Sequence, residues 1–373
     1  MNIGPLRLLV LQPTTFCNID CSYCYLENRS QKHTMSTDVL SRALRRAFNS
    51  GLLADRLEIL WHAGEPLVVG RQFYRHASEL IRSLNITATT TQQCIQTNGM
   101  LIDAEWCELF VSEDIRIGIS IDGPEHIHDH HRVTRSGQPT FRKVMQGVSC
   151  LRKHGVDFST LGVLTKHSLL NYMAVLDFYE SEGLHSVGFN LEEIGSTNTR
   201  SSFASQEEAE ALYRPFVIEA AQRHREGRLR IREIELILGS LEHGVPPTRS
   251  EAVPLQIVTI GSEGDFSTFC PQLHQVKYAD GSIHSFGNVR DNDFIDMFGD
   301  LTFLSIHESI MDGARKCATS CERFALCGSS APGNKYFNNG TFDSTETVYC
   351  RTRIKAVADA LESQSIDGPC YRQ

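Results

Sequence analysis

The fold of this chain is decided by the stretch Cys17-Asn18-Ile19-Asp20-Cys21-Ser22-Tyr23-Cys24, which follows an apolar run, Leu6 to Leu11, that predicts a first strand. Three and then two residues separate its cysteines. A loop with this spacing can fold all three sulfurs round one iron–sulfur cube. Because a [4Fe–4S] cube has four irons, three thiolates leave one iron open, and an open coordination position is typical of a reactive metal centre.

The loop resembles the signature of the radical S-adenosylmethionine enzymes, in which an aromatic residue, here Tyr23, precedes the third cysteine. The resemblance implies that Cys17, Cys21 and Cys24 hold the catalytic cluster. It also implies that the amino and carboxylate groups of S-adenosylmethionine fill the open iron position, and that the reduced cluster cleaves this cofactor to a 5'-deoxyadenosyl radical. A structural zinc site is the alternative, but it needs a nearby fourth ligand, and no His or Cys lies between Cys24 and His33.

Length and charge exclude several classes of protein. The chain has 373 residues, which suits one barrel with an appended region. Its formal net charge of −9 does not indicate a basic surface for nucleic acid. No apolar run approaches the roughly 18 residues of a membrane span, and the N-terminus lacks the order of a signal peptide. We therefore expect a cytoplasmic protein that binds neither nucleic acid nor membrane.

The chain has twelve cysteines, which in a reducing compartment are more often metal ligands than disulfides. Besides the three of the first loop, four more gather near the C-terminus, at Cys317, Cys321, Cys327 and Cys350. Cys94, Cys107 and Cys150 are scattered through strand and helix patterns. We expect these three to be small buried hydrophobic side chains.

Strand-like runs alternate with helix-period segments through the first two hundred residues. The expected strands are 6–11, 57–61, 91–97, 115–121, 157–164 and 186–191, and the expected helices are 37–49, 71–84, 103–112, 140–154 and 168–182. This alternation predicts an α/β fold with a parallel sheet and right-handed crossovers. Six units are fewer than the eight of a closed barrel, and they match the partial (β/α)6 TIM-like barrel that the resemblance implies.

In parallel α/β folds the chemistry gathers at the carboxyl ends of the strands. His62-Ala63-Gly64-Glu65-Pro66 follows the second strand and resembles the Gly-Gly-Glu-Pro element of the superfamily, with Ala63 in place of the first glycine. By that resemblance Gly64, Glu65 and Pro66 bind the methionine part of the cofactor, whose ammonium needs carbonyl and carboxylate acceptors. A plain turn before a helix is the alternative.

The remaining candidates for the cofactor pocket lie in the cysteine loop, at the ends of other strands or in the polar segment 126–137, and they are Tyr23, Asn98, Ser120, Asp122, Arg132 and Asn190. Asp122 could equally cap the turn at 123–124. The polar segment resembles a lid found in peptide maturases, with Arg132 a carboxylate partner, although its four histidines leave a metal site as an alternative. Asn190 is followed by Glu192 and Glu193, which could meet either cofactor or substrate.

The spacing Cys317-x3-Cys321-x5-Cys327, with Cys350 further on, resembles the SPASM extension of peptide-modifying radical S-adenosylmethionine enzymes. The full pattern has up to seven cysteines and two auxiliary [4Fe–4S] clusters. Phe286 and Ala331 stand where two of those cysteines are expected, and both missing ligands belong to one cluster. The resemblance therefore implies one auxiliary [4Fe–4S] cluster on the four C-terminal cysteines. Zinc is the alternative there, and ligation by Cys270 or Cys370 stays open.

These patterns predict three parts of the chain. Residues 1–200 would form the radical S-adenosylmethionine partial barrel, and residues 251–373 the SPASM-like auxiliary cluster domain. Residues 201–250 would be a helical bridge and linker, in which the charge run from Arg223 to Glu235 is expected to face solvent. No separate peptide-recognition domain is expected before Leu6, so leader binding would use the barrel, the extension or another protein.

The segment from Ala331 to Phe342 resembles the corresponding stretch of the GrrM-type maturases of glycine-rich-repeat peptides, which form cyclophanes. The resemblance implies an oxidoreductase that joins an aromatic ring to an unactivated β-carbon of a ribosomal precursor peptide, with flavodoxin or ferredoxin as reductant. An anaerobic sulfatase maturase is one alternative, although that family has an aspartate where Gly287 stands. A non-enzymatic electron carrier or peptide-binding module is the other, and it would not need the cofactor pocket. No residue is identified as the proton-accepting base.

Overall fold

The computed structural model describes residues 3–86, 89–246, 250–329 and 331–366. Its strands are β1 Leu6–Leu11, β2 Leu53–Trp61, β3 Thr90–Thr97, β4 Ile115–Ser120, β5 Phe158–Leu164, β6 Ser186–Leu191, β7 Arg230–Ile231, β8 Ile257–Ile260 and β9 Phe266–Thr268. Its α-helices are α1 Thr37–Phe48, α2 Arg71–Leu84, α3 Ala104–Ser112, α4 Glu125–His131, α5 Phe141–Lys153, α6 Lys166–Leu170, α7 Tyr172–Ser181, α8 Gln206–Arg225, α9 Arg232–His243, α10 Leu301–Ser320, α11 Phe324–Cys327, α12 Pro332–Asn339 and α13 Val357–Ile366. No helix in these described ranges is long and apolar enough to cross a membrane.

The strands form one sheet in the order β7-β6-β5-β4-β3-β2-β1-β8-β9. All neighbouring pairs from β7 to β8 are parallel, and only β9 runs antiparallel to its neighbour. The predicted α/β class with a parallel sheet and a C-terminal cysteine-rich extension is confirmed. Because the strands are parallel, the carboxyl ends of β1 to β6 meet at one edge, where the candidate site lies.

Local signals explain where the helices begin. Ser36 accepts a hydrogen bond from the Val39 amide, Asp103 from the Trp106 amide and Ser205 from the Glu208 amide. Each such N-cap stabilises its helix by about 1 kcal/mol. The predicted single helix at 168–182 is in fact two, α6 and α7, which meet at Asn171.

The sheet extends past the six predicted strands on both sides. Strand β8 pairs with β1, with Leu9 opposite Val258, although about 250 positions of chain separate them. The region after residue 251 therefore contributes to the same sheet as the first strand, which the sequence analysis did not foresee. At the other edge β7 pairs with β6, and α13 packs against both α8 and α9.

The charge run from Arg223 to Glu235 does not simply face solvent, and this expectation was wrong at two positions. Arg223 is 1% exposed and forms ion pairs with Asp177, Glu180 and Glu219. Glu233 is also buried. Burying these charges is tolerated because opposite charges surround them.

Candidate active site

The three-cysteine loop follows β1 at the carboxyl edge of the sheet, and backbone hydrogen bonds hold it in place. The Asp20 amide donates to the Val133 carbonyl (2.7 Å) and the Ser22 amide to the His131 carbonyl (3.0 Å). The Arg135 side chain donates to the Cys17 carbonyl (2.9 Å). The polar segment predicted as a lid is thus attached directly to the cysteine loop.

Two donors point at the sulfurs of this loop. Asn98 Nδ2 lies 3.9 Å from Cys17 Sγ, and Arg132 Nη1 lies 4.0 Å from Cys21 Sγ. Burial raises the pKa of the Cys17 thiol to about 11 and that of Cys21 to about 12. Nearby donors and a cation favour the thiolate form, which is the form that ligates a metal. Three thiols on one loop with these neighbours fit an iron–sulfur cluster.

Asp122 forms the centre of the polar network beneath the loop. Its carboxylate accepts from Arg132 Nε and Nη2 (both 3.0 Å), from the Val163 amide (2.8 Å) and from the Tyr23 hydroxyl. Burial alone would raise the pKa of Asp122, but the Arg132 guanidinium holds it below its ordinary value. The carboxylate partner of Arg132 in this structure is Asp122, and together they position Tyr23 beside the cysteines.

Glu65 is fully buried and joins the end of β2 to the end of β3. Oε1 accepts from the Leu67 amide (2.9 Å) and the Thr97 hydroxyl (2.7 Å), and Oε2 accepts from the Asn98 amide (2.8 Å). A carboxylate has about four acceptor sites, so Glu65 keeps about one for a ligand. Burial raises its pKa, and these hydrogen bonds act in the opposite direction.

The two residues before Glu65 have left-handed backbone conformations. Gly64 has φ +56°, and a Cβ there would lie 2.4 Å from the Phe16 carbonyl oxygen. The Glu65 amide also donates to that carbonyl (2.8 Å). Gly64 is therefore needed because the cysteine loop passes directly over it. Ala63, which replaces a glycine of the family element, has φ +76° and is strained.

The other predicted pocket residues lie along the same edge but contact different partners. Asn98 Nδ2 donates to Asn18 Oδ1 (2.7 Å), which ties β3 to the cysteine loop. Ser120 Oγ accepts from Gln96 Nε2 (3.0 Å). Asn190 Oδ1 instead accepts from Arg232 and Arg353 (2.9 and 3.1 Å), so it is joined to the C-terminal part of the chain.

Two of the four histidines in the polar segment are used inside the fold. His131 bonds to the hydroxyls of Ser22 (2.7 Å) and Thr165 (3.1 Å), and His128 Nε2 bonds to that of Thr140 (3.1 Å). Burial lowers the pKa of both rings to about 4. They act as neutral hydrogen-bonding groups, which weakens the metal-site alternative.

A second polar cluster links the mouth of the barrel to the extension. Half-buried Glu193, just after β6, accepts from Asn334 Nδ2 of α12 (2.6 Å). Burial raises the pKa of Glu193, while Arg353 and the Asn334 hydrogen bond lower it. Tyr25 joins the cysteine loop to the segment after β6, since its carbonyl accepts from the Thr197 amide (3.2 Å), and burial raises the pKa of its hydroxyl. Tyr25 was not among the predicted site residues, and its only signal in the sequence was its position directly after Cys24.

The four C-terminal cysteines lie on or beside helical segments of the extension. Cys317 is buried near the end of α10, and Lys335 Nζ of α12 donates to its sulfur (3.5 Å) and to the Ser329 hydroxyl (2.8 Å). Lys335 is itself only 4% exposed. Burial raises the pKa of Cys350 to about 12, and Cys327 and Cys321 are close enough to raise it as well.

One of the two positions where family cysteines are missing has become a packing position. Phe286 is buried between His284 and Phe303, with ring centroids 4.7 and 5.4 Å away. Ala331 precedes α12. Cys270 is buried, and a Cβ on Gly333 would lie 2.9 Å from its sulfur, so protein atoms press directly against it. Cys370 lies outside the described residues.

The parallel sheet and its three-cysteine loop define a radical S-adenosylmethionine domain, and comparison with known proteins agrees. The sequence model of the Radical SAM superfamily matches residues 11–179. The uncharacterized protein sll1766 of Synechocystis sp. is 36% identical over 368 residues, which are 96% of this chain and 92% of the relative. This chain belongs to the radical SAM superfamily, whose cofactors are S-adenosylmethionine and a [4Fe–4S] cluster, as predicted.

Relatives with an assigned activity match only half of the chain. The serine-type anaerobic sulfatase-maturating enzyme of Bacteroides thetaiotaomicron is 35% identical over 191 residues, which are 50% of this chain and 46% of that enzyme. Solved structures match over a longer range. The structure of anSMEcpe with bound AdoMet has a TM-score of 0.80 at 20% identity and covers 98% of this chain and 99% of that one. Streptococcus suis SuiB bound to S-adenosylmethionine has a TM-score of 0.61 at 18% identity, over 92% and 77%. At these identities the likeness concerns the fold alone.

Proposed function

We propose that this protein is a radical S-adenosylmethionine maturase that forms a cyclophane in a ribosomally made precursor peptide. The observation that carries this proposal is the position of α12. This helix lies in the segment that resembles the cyclophane-forming maturases, and it contributes Asn334 to Glu193 at the barrel mouth and Lys335 to Cys317 in the extension. The helix α12 thus joins a carboxylate just after β6 to the second cysteine set.

Cys17, Cys21 and Cys24 would hold the catalytic cluster, and Gly64, Glu65 and Asn98 would face the methionine part of the cofactor. With the cluster and S-adenosylmethionine bound, the site would supply a 5'-deoxyadenosyl radical for removal of a hydrogen atom from the peptide, and ring closure onto an aromatic carbon would release one proton and one electron. The chain must hold the peptide in place, exclude water and accept that proton.

Glu193 is the proposed proton acceptor. It lies just after β6, in a segment that contacts the cysteine loop through Thr197, which donates to the carbonyls of Tyr25 (3.2 Å) and Cys24 (3.1 Å). The Asn334 amide orients its carboxylate. Burial raises its pKa, which makes it a stronger base than an exposed carboxylate. Asp122 is less suitable because four hydrogen bonds already occupy its carboxylate.

The C-terminal cysteines would hold one auxiliary [4Fe–4S] cluster that takes up the electron. One tetrahedral zinc ion would need its sulfurs about 3.8 Å apart, given Zn–S bonds near 2.3 Å. Among the described residues, no three of these four sulfurs lie within 4.8 Å of one another. That wider spacing favours a cube over a single ion.

A second candidate function is sulfatase maturation, which is supported by the 35% identity with a sulfatase-maturating enzyme over half of the chain. A feature of the extension weighs against it. The aspartate of that family would stand at Gly287, which has φ +150°, and a Cβ there would lie 2.6 Å from the Phe266 ring. No side chain fits at this position without moving Phe266.

Mass spectrometry of the modified peptide separates the two functions. A cyclophane removes two hydrogens per crosslink, leaves the other atoms unchanged and blocks fragmentation inside the ring. Conversion of cysteine to formylglycine removes sulfur. Because conversion of serine to formylglycine also removes two hydrogens, the product should in addition be treated with a hydrazide, which reacts with the aldehyde only. A hydrazide adduct would overturn the cyclophane proposal.

A further inference from the structure

A compact group of potential metal ligands lies on the outer helical layer, away from the cysteine loop. Cys107 belongs to α3, Cys150 to α5, and His154 follows directly after α5. The two sulfurs are 3.7 Å apart, and Cys150 Sγ lies 3.7 Å from His154 Nδ1. Within the part of the chain that the structure describes, no other three ligating side chains approach one another within 4.8 Å.

These distances match those expected round one tetrahedral ion. With Zn–S bonds near 2.3 Å and Zn–N bonds near 2.05 Å, two sulfurs are about 3.8 Å apart and a sulfur and a nitrogen about 3.6 Å. A disulfide would require about 2.05 Å between the sulfurs. Cys150 and His154 are four positions apart, so they share one helix face. Both cysteines were expected to be small buried hydrophobic side chains, which holds for Cys107, whereas Cys150 is half-buried. Their proximity was not visible in the sequence because 43 positions separate them.

We propose that Cys107, Cys150 and His154 bind one zinc ion that clips α3 to α5, with water as the fourth ligand. Two thiolates and an imidazole are ligands that zinc prefers. Cys150 and His154 are half-buried, so the ion can enter from solvent, whereas Cys107 is fully buried and anchors it from inside. Zinc must displace the thiol protons, and His154 Nδ1 must give up its bond to the Cys150 carbonyl (2.9 Å).

The proposal is tested by measuring the zinc and iron content of the anaerobically purified holoprotein by inductively coupled plasma mass spectrometry. After exposure to Zn²⁺ and removal of excess ion, wild type should retain about one zinc per chain in addition to its iron. Cys107→Ser and Cys150→Ser should lose that zinc with unchanged iron, and Cys94→Ser, in β3, should keep it. Since Cys107→Ser could disturb packing, half-buried His154→Ala provides a second test and should weaken zinc binding at least tenfold.

Co²⁺ provides an independent readout that does not depend on enzyme activity. Wild type should show sulfur-to-cobalt charge-transfer absorption beyond that of the clusters, and this absorption should be absent in Cys150→Ser. Absence of retained zinc in wild type would overturn the proposal, as would equal retention in wild type, Cys150→Ser and His154→Ala. Iron content reports on the two proposed clusters, and zinc retention reports on the Cys107–Cys150–His154 site. Failure of the zinc proposal would therefore leave the proposed function unaffected.

Discussion

The two cysteine sets of this protein differ in what surrounds their sulfurs. The N-terminal loop is irregular, backbone hydrogen bonds attach its Asp20 and Ser22 to the polar segment, and a guanidinium that is already paired with Asp122 points at Cys21. The C-terminal set lies on helices, and a buried lysine donates directly to Cys317. An unpaired positive charge such as that of Lys335 favours the reduced form of a neighbouring cluster. The Arg132–Asp122 pair has no net charge and therefore favours the reduced form less. This difference supports the proposal that the first site is the reactive centre and the second an electron acceptor.

The largest effect should follow from removing a ligand of the first set. Cys17→Ala, Cys21→Ala or Cys24→Ala should abolish cleavage of S-adenosylmethionine, because each removes one of three thiolates. The measurement is 5'-deoxyadenosine formed after dithionite reduction. Cys94→Ala is the matched control and should retain cleavage. Retained cleavage in any of the three variants would contradict the assignment.

Removing the second set should separate the two sites. Replacing Cys317, Cys321, Cys327 and Cys350 together by Ala should lower the iron content from about eight to about four per chain. Cleavage of S-adenosylmethionine should continue while peptide crosslinking is lost. A wild-type content of about twelve irons would show instead that other ligands complete a third cluster.

Thermal unfolding under anaerobic conditions tells why crosslinking is lost in that variant. An unchanged transition indicates a redox role of the second set. A collapsed transition indicates that the set mainly stabilises the extension, as structural metal sites do.

A smaller effect is expected at the carboxylate between the two sites. Glu193→Gln keeps an acceptor for Asn334 but removes the base, so crosslinking should slow by about 10²- to 10³-fold. Wild-type crosslinking should rise with pH through the raised pKa of Glu193, because only the carboxylate accepts a proton, and the variant should lack this rise. Glu192→Gln is the control, since Glu192 is bonded to Ser202. Identical pH profiles for wild type and Glu193→Gln would exclude Glu193 as the base.

The smallest effect should appear at the buried lysine. Lys335→Met removes a positive charge beside Cys317, so the second cluster should become harder to reduce. Its reduction equilibrium constant should fall about tenfold, which lowers its reduction potential by about 59 mV for one electron. An EPR-monitored redox titration measures this shift. Lys316→Met is the control, because Lys316 is half-exposed and paired with Asp343, where solvent screens its charge. Equal shifts in both variants would show that Lys335 has no special role.

The sequence determined the class of this protein because the relevant signals are local. Cys17, Cys21 and Cys24 lie within eight positions, and the six strand–helix units repeat a short hydrophobic pattern. Local pattern and turn chemistry therefore sufficed for the parallel sheet and for the position of the cysteine loop at its edge.

The partners of the polar side chains were decided by tertiary structure alone. Asn334 reaches Glu193 across 141 positions, and Arg132 reaches Cys21 across 111. Asp122 had two possible roles in the sequence, and its bonds to Arg132 and Tyr23 became visible only in the structure. The physical reason is that a buried polar group must find a hydrogen-bond partner, and which partner it meets depends on how distant elements pack.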